Sequence, residues 1–219
     1  MRSQDLKLRE DVCRELEWEP VVDAAHVGVA VDAGVVSLTG HVGSLPEKYA
    51  AEEAARRVKG VRAIVESIAV RVPKTGTVSD GELAASIMRT LEWDDAVPDE
   101  RITVTVEHGA VTLDGTVDRA FERDEAELDV RKIRGVNSVI NRIVVHPPAE
   151  AAASAEEIKR ALQRSGELDP STITVKVRGN TVVMTGQVRR LNERRAAERA
   201  AWSAPGVRNV ENRLEVDVL

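Results

Sequence analysis

Residues 27–40, VGVAVDAGVVSLTG, alternate apolar residues on either side of a turn and end on a glycine. Residues 102–115, ITVTVEHGAVTLDG, and residues 173–186, ITVKVRGNTVVMTG, repeat this arrangement. The final glycine of the second stretch follows that of the first by 75 residues, and that of the third follows after another 71. A Gly-Val pair comes 20 residues after each, at Gly60, Gly135 and Gly206. The chain therefore comprises three copies of a unit of about 70 residues.

Each copy predicts the same order of elements. Leu8, Val12 and Leu16 recur at the spacing of an amphipathic helix, and the alternating stretch predicts a β-hairpin. A second helix is predicted at about 47–59, 121–134 and 192–203, and a third strand at 64–70, 139–145 and 210–216. A small sheet with one apolar face has to be covered. We therefore predict an α+β fold of three tandem αββαβ two-layer sandwiches, each a three-stranded mixed sheet covered by two helices.

Turn-forming residues divide the copies. The predicted domains are residues 1–73, 79–146 and 154–219, and the Pro- and Gly-containing stretches 74–78 and 147–153 are the linkers. Ser79 and Ser154 each lie three residues before a glutamate, which predicts a capping box at the start of the next helix. Because a core of about 70 residues is marginal alone, we expect the copies to pack on one another or on a partner.

Composition excludes several classes of protein. With 42% hydrophobic and 31% charged residues in 219, the chain is neither disordered nor membrane-embedded. The first ten residues lack the apolar segment of an export signal, which predicts a cytoplasmic protein, or a periplasmic one only if a signal has been removed. A pI of about 5.4, with three Trp, one Tyr and one Phe, disfavours nucleic acid as a partner.

Motifs for catalysis are not found in the sequence. It contains no GxSxG, Walker A, HExxH or EF-hand pattern, and its four histidines are scattered. The single cysteine, Cys13, excludes an intrachain disulfide. We therefore expect no enzyme, no catalytic residues, no cofactor and no metal site.

Two sets of residues recur at matching positions of the strands. Gly40, Gly115 and Gly186 fall on the inward side of the second strand, where a glycine marks a bulge or the close approach of a helix. We interpret these three glycines, and those of the Gly-Val pairs, as residues with a structural role. A polar residue also interrupts the apolar row of the last strand, at Glu66, Asn141 and Asn212. We favour a structural role that satisfies backbone groups, and the alternative is a polar group that faces a ligand.

Trp18 and Trp93 follow the first helix of copies one and two, whereas Arg164 occupies the equivalent place in copy three. A Trp at a helix end can enter a bilayer interface. The acidic neighbours of both residues disfavour that interpretation, because an anionic bilayer would repel them. We therefore expect both rings to pack against the sheet or an adjacent domain.

Charge differs between the copies. Residues 1–73 carry 10 basic and 12 acidic side chains, which give a net charge of −2. Residues 74–148 carry 9 basic and 15 acidic side chains, which give −6. Residues 149–219 carry 12 basic and 10 acidic side chains, which give +2. The arginines at the second helix of copy three are the candidate anion-facing or lipid-facing surface. They are Arg189, Arg190, Arg194, Arg195 and Arg199. The alternative is a solvated face with internal ion pairs.

The αββαβ order, the glycine that ends the second strand and the Gly-Val lead into the last strand resemble the BON domain family. This resemblance implies a non-enzymatic module of bacterial envelope or stress-response proteins that binds phospholipid or mediates protein contacts. We therefore expect a stress-associated binding protein whose partner is an anionic phospholipid surface or another protein, with self-association permitted by the charge asymmetry. The alternative is a protein–protein scaffold or chaperone-like adaptor. Copies one and two are predicted to pack together, with copy three as the outward contact module.

Overall fold

The computed structural model describes residues 3–71, 78–147, 153–166 and 168–217. It confirms the predicted α+β class, with three repeated units that each hold a three-stranded sheet and two main helices. The main helices are α1 Ser3–Glu17, α2 Leu45–Arg57, α3 Asp80–Trp93, α4 Ala120–Lys132, α5 Ala155–Arg164 and α6 Leu191–Trp202. The strands are β1 Val27–Asp32, β2 Val35–Val42, β3 Ala63–Val70, β4 Ile102–Glu107, β5 Ala110–Val117, β6 Ser138–Val145, β7 Ile173–Arg178, β8 Thr181–Val188 and β9 Asn209–Val216.

The second strand of each copy lies in the middle of its sheet. It pairs antiparallel with the first strand and parallel with the third, so that Leu38 faces Val29 on one side and Glu66 on the other. A parallel partner requires a crossover connection. The second helix of each copy supplies it and covers the apolar face of the sheet together with the first helix.

Helix α3 begins with the predicted capping box. The Glu82 amide donates to the Ser79 hydroxyl at 3.3 Å, and the Ser79 amide donates to the Glu82 carboxylate at 2.9 Å. The hydrogen bonds from Ser79 also lower the pKa of Glu82. Ser154 accepts from the Glu157 amide at 3.5 Å at the start of α5. Most of the two predicted linkers, 74–77 and 148–152, lies outside the described residues.

A short 3-10 turn that the sequence did not predict precedes the first strand of each copy, at Ala24–His26, Asp99–Arg101 and Pro170–Thr172. The carbonyl oxygen of His26 occupies the space that a Cβ at Gly40 would need. Gly40 has a φ of 113°, which also favours glycine. The close approach at this glycine is therefore to the backbone of the turn and not to a helix. Gly115 and Gly186 make the same approach in copies two and three.

The hydrophobic cores of the copies are joined. Leu45 of α2 is 2% exposed and belongs to the buried cluster of copy two, while Leu191 of α6 is 6% exposed and belongs to that of copy one. Val70 at the end of β3 packs against both of these clusters. The cores of copies one and two thus obtain part of their packing from a neighbour, as the small size of the units led us to expect, while the core of copy three is built from its own residues.

Candidate functional site

The second helices α2, α4 and α6 meet between the three copies. Helix α2 contacts both α4 and α6. A cavity of about 600 Å³ lies at this meeting point, which we call the helix junction. Its lining residues are Arg56, Arg123, Asp124, Glu125, Glu127, Leu128, Arg131, Leu191, Arg194, Arg195, Glu198, Arg199 and Trp202. This site is rich in charge, and its arginines come from all three copies.

Aromatic rings hold two of these arginines. The Arg131 guanidinium of copy two lies 3.7 Å from the centre of the Tyr49 ring of copy one, and it also pairs with Glu127. The Arg123 guanidinium lies 5.0 Å from the centre of the Trp202 ring of copy three. Cation–π contacts of this kind add to the packing of the rings. Copy two is therefore fixed to both of its neighbours at the helix junction.

The predicted arginine stripe of copy three does not form one outward surface. Arg195 forms an ion pair with Glu53 of copy one. Arg194 donates to the Asn212 carbonyl at 3.1 Å, and Arg199 lines the helix junction. These three residues face the neighbouring copies or their own sheet because α6 packs on α2. Arg189 and Arg190, at the start of α6, are exposed and do not line the helix junction, whereas Arg199 is exposed and lines it.

The recurrent polar residues of the last strands connect that strand to the second helix. Asn141 donates to the Arg123 carbonyl and to Glu127, each at 3.0 Å, and accepts from the Ile143 amide at 3.1 Å. Asn212 makes the equivalent bonds to Arg194, Glu198 and Leu214. These contacts support the structural interpretation over a group that faces a ligand.

In copy one, the last strand is connected to the second helix by a carboxylate instead of an amide. Glu66 accepts from the Ile68 amide, as the asparagines do from theirs, but a carboxylate has no amide group to donate. Lys48 of α2 lies 2.9 Å from the Glu66 carboxylate and supplies the donor. The strand and the helix are joined by an ion pair here, where copies two and three use an amide.

The prediction that both tryptophans are packed is wrong. Trp18 is 79% exposed and Trp93 is 87% exposed. Each ring lies at the C-terminal end of a first helix, past the residues that face the sheet. Arg57 pairs with Glu15 and Glu19 near Trp18. In contrast, the carboxylates around Trp93 have no ion-pair partner within the described part of the chain; they belong to Glu92, Asp94 and Asp95.

The outer face of each sheet, opposite the helices, is open to solvent. On copy three this face carries Lys176, Arg178 and Arg213 around a cavity of about 330 Å³, which we call the copy-three sheet face. Arg213 pairs with Glu211 at 2.6 Å. Neither Lys176 nor Arg178 has an ion-pair partner among the residues that the structure describes. Two free cations therefore face the solvent side by side.

Copies one and two lack this chemistry. The strand register places Thr105 and Glu107 of copy two, and Ala30 and Asp32 of copy one, where copy three has Lys176 and Arg178. The sequence reasoning missed the copy-three sheet face because it counted the apolar side of the alternating strand and not the polar one. The signal was present in ITVKVR, whose two basic residues fall on the side opposite the apolar ones.

Among the described residues, no group of three or more His, Cys, Asp or Glu side chains is placed to hold a metal ion. No helix in the described ranges is both long enough and apolar enough to cross a bilayer.

Comparison with known proteins gives a family match over most of the chain. The family described as BON domain matches residues 4–72, 79–147 and 151–218. Osmotically-inducible protein Y of Escherichia coli (strain K12) is 33% identical over 124 residues, which are 55% of this chain and 62% of that protein. The matched region thus spans less than two thirds of that relative's length.

Two solved structures of CdsD, a structural protein of the type III secretion system of Chlamydia trachomatis, are also similar. Each is 14% identical to this chain, with a TM-score of 0.25. One alignment covers 95% of this chain and 91% of the solved chain, and the other, to the C-terminal domain of CdsD, covers 99% and 100%.

Proposed function

The chain belongs to the BON domain family, and from this premise we propose that it is a non-catalytic binding protein of the osmotic stress response that contacts anionic phospholipid through the copy-three sheet face. The likeness to an osmotically inducible relative supports the stress-response part of this proposal. The resemblance noted in the sequence supports phospholipid as the ligand.

One observation supports the choice of surface. Lys176 and Arg178 are exposed, have no ion-pair partner among the described residues, and lie two residues apart on the same side of strand β7. Each cation near an anionic leaflet contributes about 1 kcal/mol of attraction, which decays within about one Debye length. The chain as a whole carries a net charge of −6, so any attraction to an anionic leaflet has to come from a local group of cations such as this one. Copy three would turn towards the bilayer while the acidic copy two stays away from it.

Vesicle co-sedimentation tests this proposal with two matched double variants of copy three. Lys176→Gln/Arg178→Gln removes two cations from the sheet face, and Arg189→Gln/Arg190→Gln removes two from the start of α6. We expect the wild-type protein to bind anionic but not zwitterionic vesicles. The sheet-face variant should bind about 30-fold more weakly, which corresponds to about 2 kcal/mol. The α6 variant should retain most of the binding.

Equal losses in both variants would contradict the assignment to the sheet face. No binding of the wild-type protein to either vesicle would remove phospholipid as the ligand and favour the second candidate, a protein–protein scaffold. The observation that favours a scaffold is the exposure of Trp18 and Trp93, since exposed aromatic rings are typical of protein interfaces.

A further inference from the structure

Trp93 is a largely exposed aromatic side chain of copy two. It ends helix α3, and 87% of its surface is exposed in a chain that has only five aromatic residues. Its neighbours in the sequence include Glu92, Asp94 and Asp95, which have no ion-pair partners in the described chain. An exposed aromatic ring on an acidic segment fits a partner surface that offers a cavity lined by basic residues.

Copy three presents such a surface. A cavity of about 210 Å³ lies between the ends of α5 and α6, and we call it the copy-three socket. Its lining residues are Glu157, Arg160, Ala161, Arg164, Ser203, Ala204 and Pro205. Arg160 and Arg164 lie one helical turn apart, are exposed, and have no ion-pair partner among the described residues. The lining thus combines small residues with two arginines and one carboxylate, that of Glu157.

We propose that Trp93 of one chain docks into the copy-three socket of a second copy of this chain. Two complementarities support this occupant. The guanidinium groups of Arg160 and Arg164 can stack on the indole ring, which is the aromatic ring that binds cations best. The carboxylates beside Trp93 then meet the same two arginines, and the copies involved carry net charges of −6 and +2.

The contact forms between chains and not within one. The helix junction holds the three copies of a single chain in one arrangement, and in that arrangement the side chain of Trp93 is exposed. A knob on copy two and a socket on copy three are different surfaces, so the association is head-to-tail. This interaction goes beyond the proposed contact with lipid and uses a different face of copy three.

Trp18 provides a matched control on the same chain. It is the equivalent residue of copy one and is nearly as exposed as Trp93. Two of its neighbouring carboxylates are already paired with Arg57, so less negative charge remains to meet the socket. Trp93 is therefore the docking residue, and Trp18→Ala should leave the association unchanged.

Sedimentation velocity over a concentration series tests the interaction with the full chain. We expect the wild-type protein and Trp18→Ala to associate as concentration rises, while Trp93→Ala and Arg160→Glu/Arg164→Glu each remain monomeric with an unchanged thermal unfolding midpoint. A mixture of the two monomeric variants should form a dimer and nothing larger, because one variant keeps the socket and the other keeps the knob. A wild-type protein that stays monomeric, a Trp93→Ala variant that still associates, or a mixture that does not dimerise would overturn the proposal.

Discussion

The guanidinium of Arg131 in copy two lies over the ring of Tyr49 in copy one, 3.7 Å from its centre. Burial raises the pKa of Tyr49 above its ordinary value of 10.0, although the charge of Arg131 acts in the opposite direction. The environment of this phenol is created by two copies that are far apart in the sequence. The titration of Tyr49 therefore measures whether copies one and two are packed together at the helix junction.

We predict that Tyr49 titrates above pH 10 in the folded protein. Because its pKa is raised, the neutral phenol contributes stability that is fully present below the pKa of the unfolded chain. This contribution is lost as the pH rises through the folded pKa. The chain has one tyrosine, so tyrosinate absorbance follows this group alone. The midpoint should fall to about 10 in denaturant; equal midpoints in both conditions would mean that Tyr49 is not buried at the junction.

Leu45→Ala and Leu191→Ala should each lower the free energy of unfolding by about 2–5 kcal/mol. Each side chain is buried in the core of a neighbouring copy, so its removal leaves a cavity there. Denaturant unfolding measures the change. Leu6→Ala is the control, because Leu6 is 43% exposed and its loss should cost no more than about 0.5 kcal/mol. Equal effects in all three variants would contradict the burial of Leu45 and Leu191 between the copies.

Trp93→Ala and Trp18→Ala should change the free energy of unfolding by no more than about 0.5 kcal/mol, because both rings are largely in water. Trp202→Ala is the contrasting variant. Trp202 packs against the cores of copies two and three, so its removal should cost at least about 1 kcal/mol. Thermal unfolding that ranks Trp93→Ala as the most damaging of the three would contradict the exposure described for it.

Asn141→Ala should cost about 1–3 kcal/mol, because the amide of Ile143 and the carbonyl of Arg123 lose their shared partner. Asn141→Asp should be more damaging at neutral pH than at acidic pH, since it places a carboxylate beside Glu127. Chemical unfolding at the two pH values measures this difference. If Asn141→Asp behaves identically at both, the amide does not donate to Glu127.

Most elements of each copy can be predicted from the residues of the repeat itself. Strands that begin at Val27, Ile102 and Ile173 follow from strict alternation, and the observed strands begin at these residues. No local pattern in the sequence predicts which copy packs against a given second helix. Leu45 is apolar whichever copy buries it, and the partner of Arg195 is Glu53, 142 residues earlier.

The exposure of the two tryptophans could not be predicted from the sequence for a different reason. The expectation that Trp18 and Trp93 are packed rested on the acidic residues next to each of them in the sequence. Those carboxylates disfavour an anionic bilayer, but they do not require a packed ring. Only the direction of the chain after the end of α1 and α3 decides the exposure, and that depends on the tertiary packing of the loop.

Lysine labelling in the presence of vesicles tests the central claim, that the copy-three sheet face contacts anionic lipid. Lys176 lies on that face, in strand β7, whereas Lys159 on α5 and Lys132 on α4 lie on other surfaces of the same chain and serve as internal controls. We predict that anionic vesicles protect Lys176 from acetylation and leave Lys159 and Lys132 reactive, and that zwitterionic vesicles protect none of them. Protection of Lys159 or Lys132 while Lys176 stays fully reactive would contradict the account.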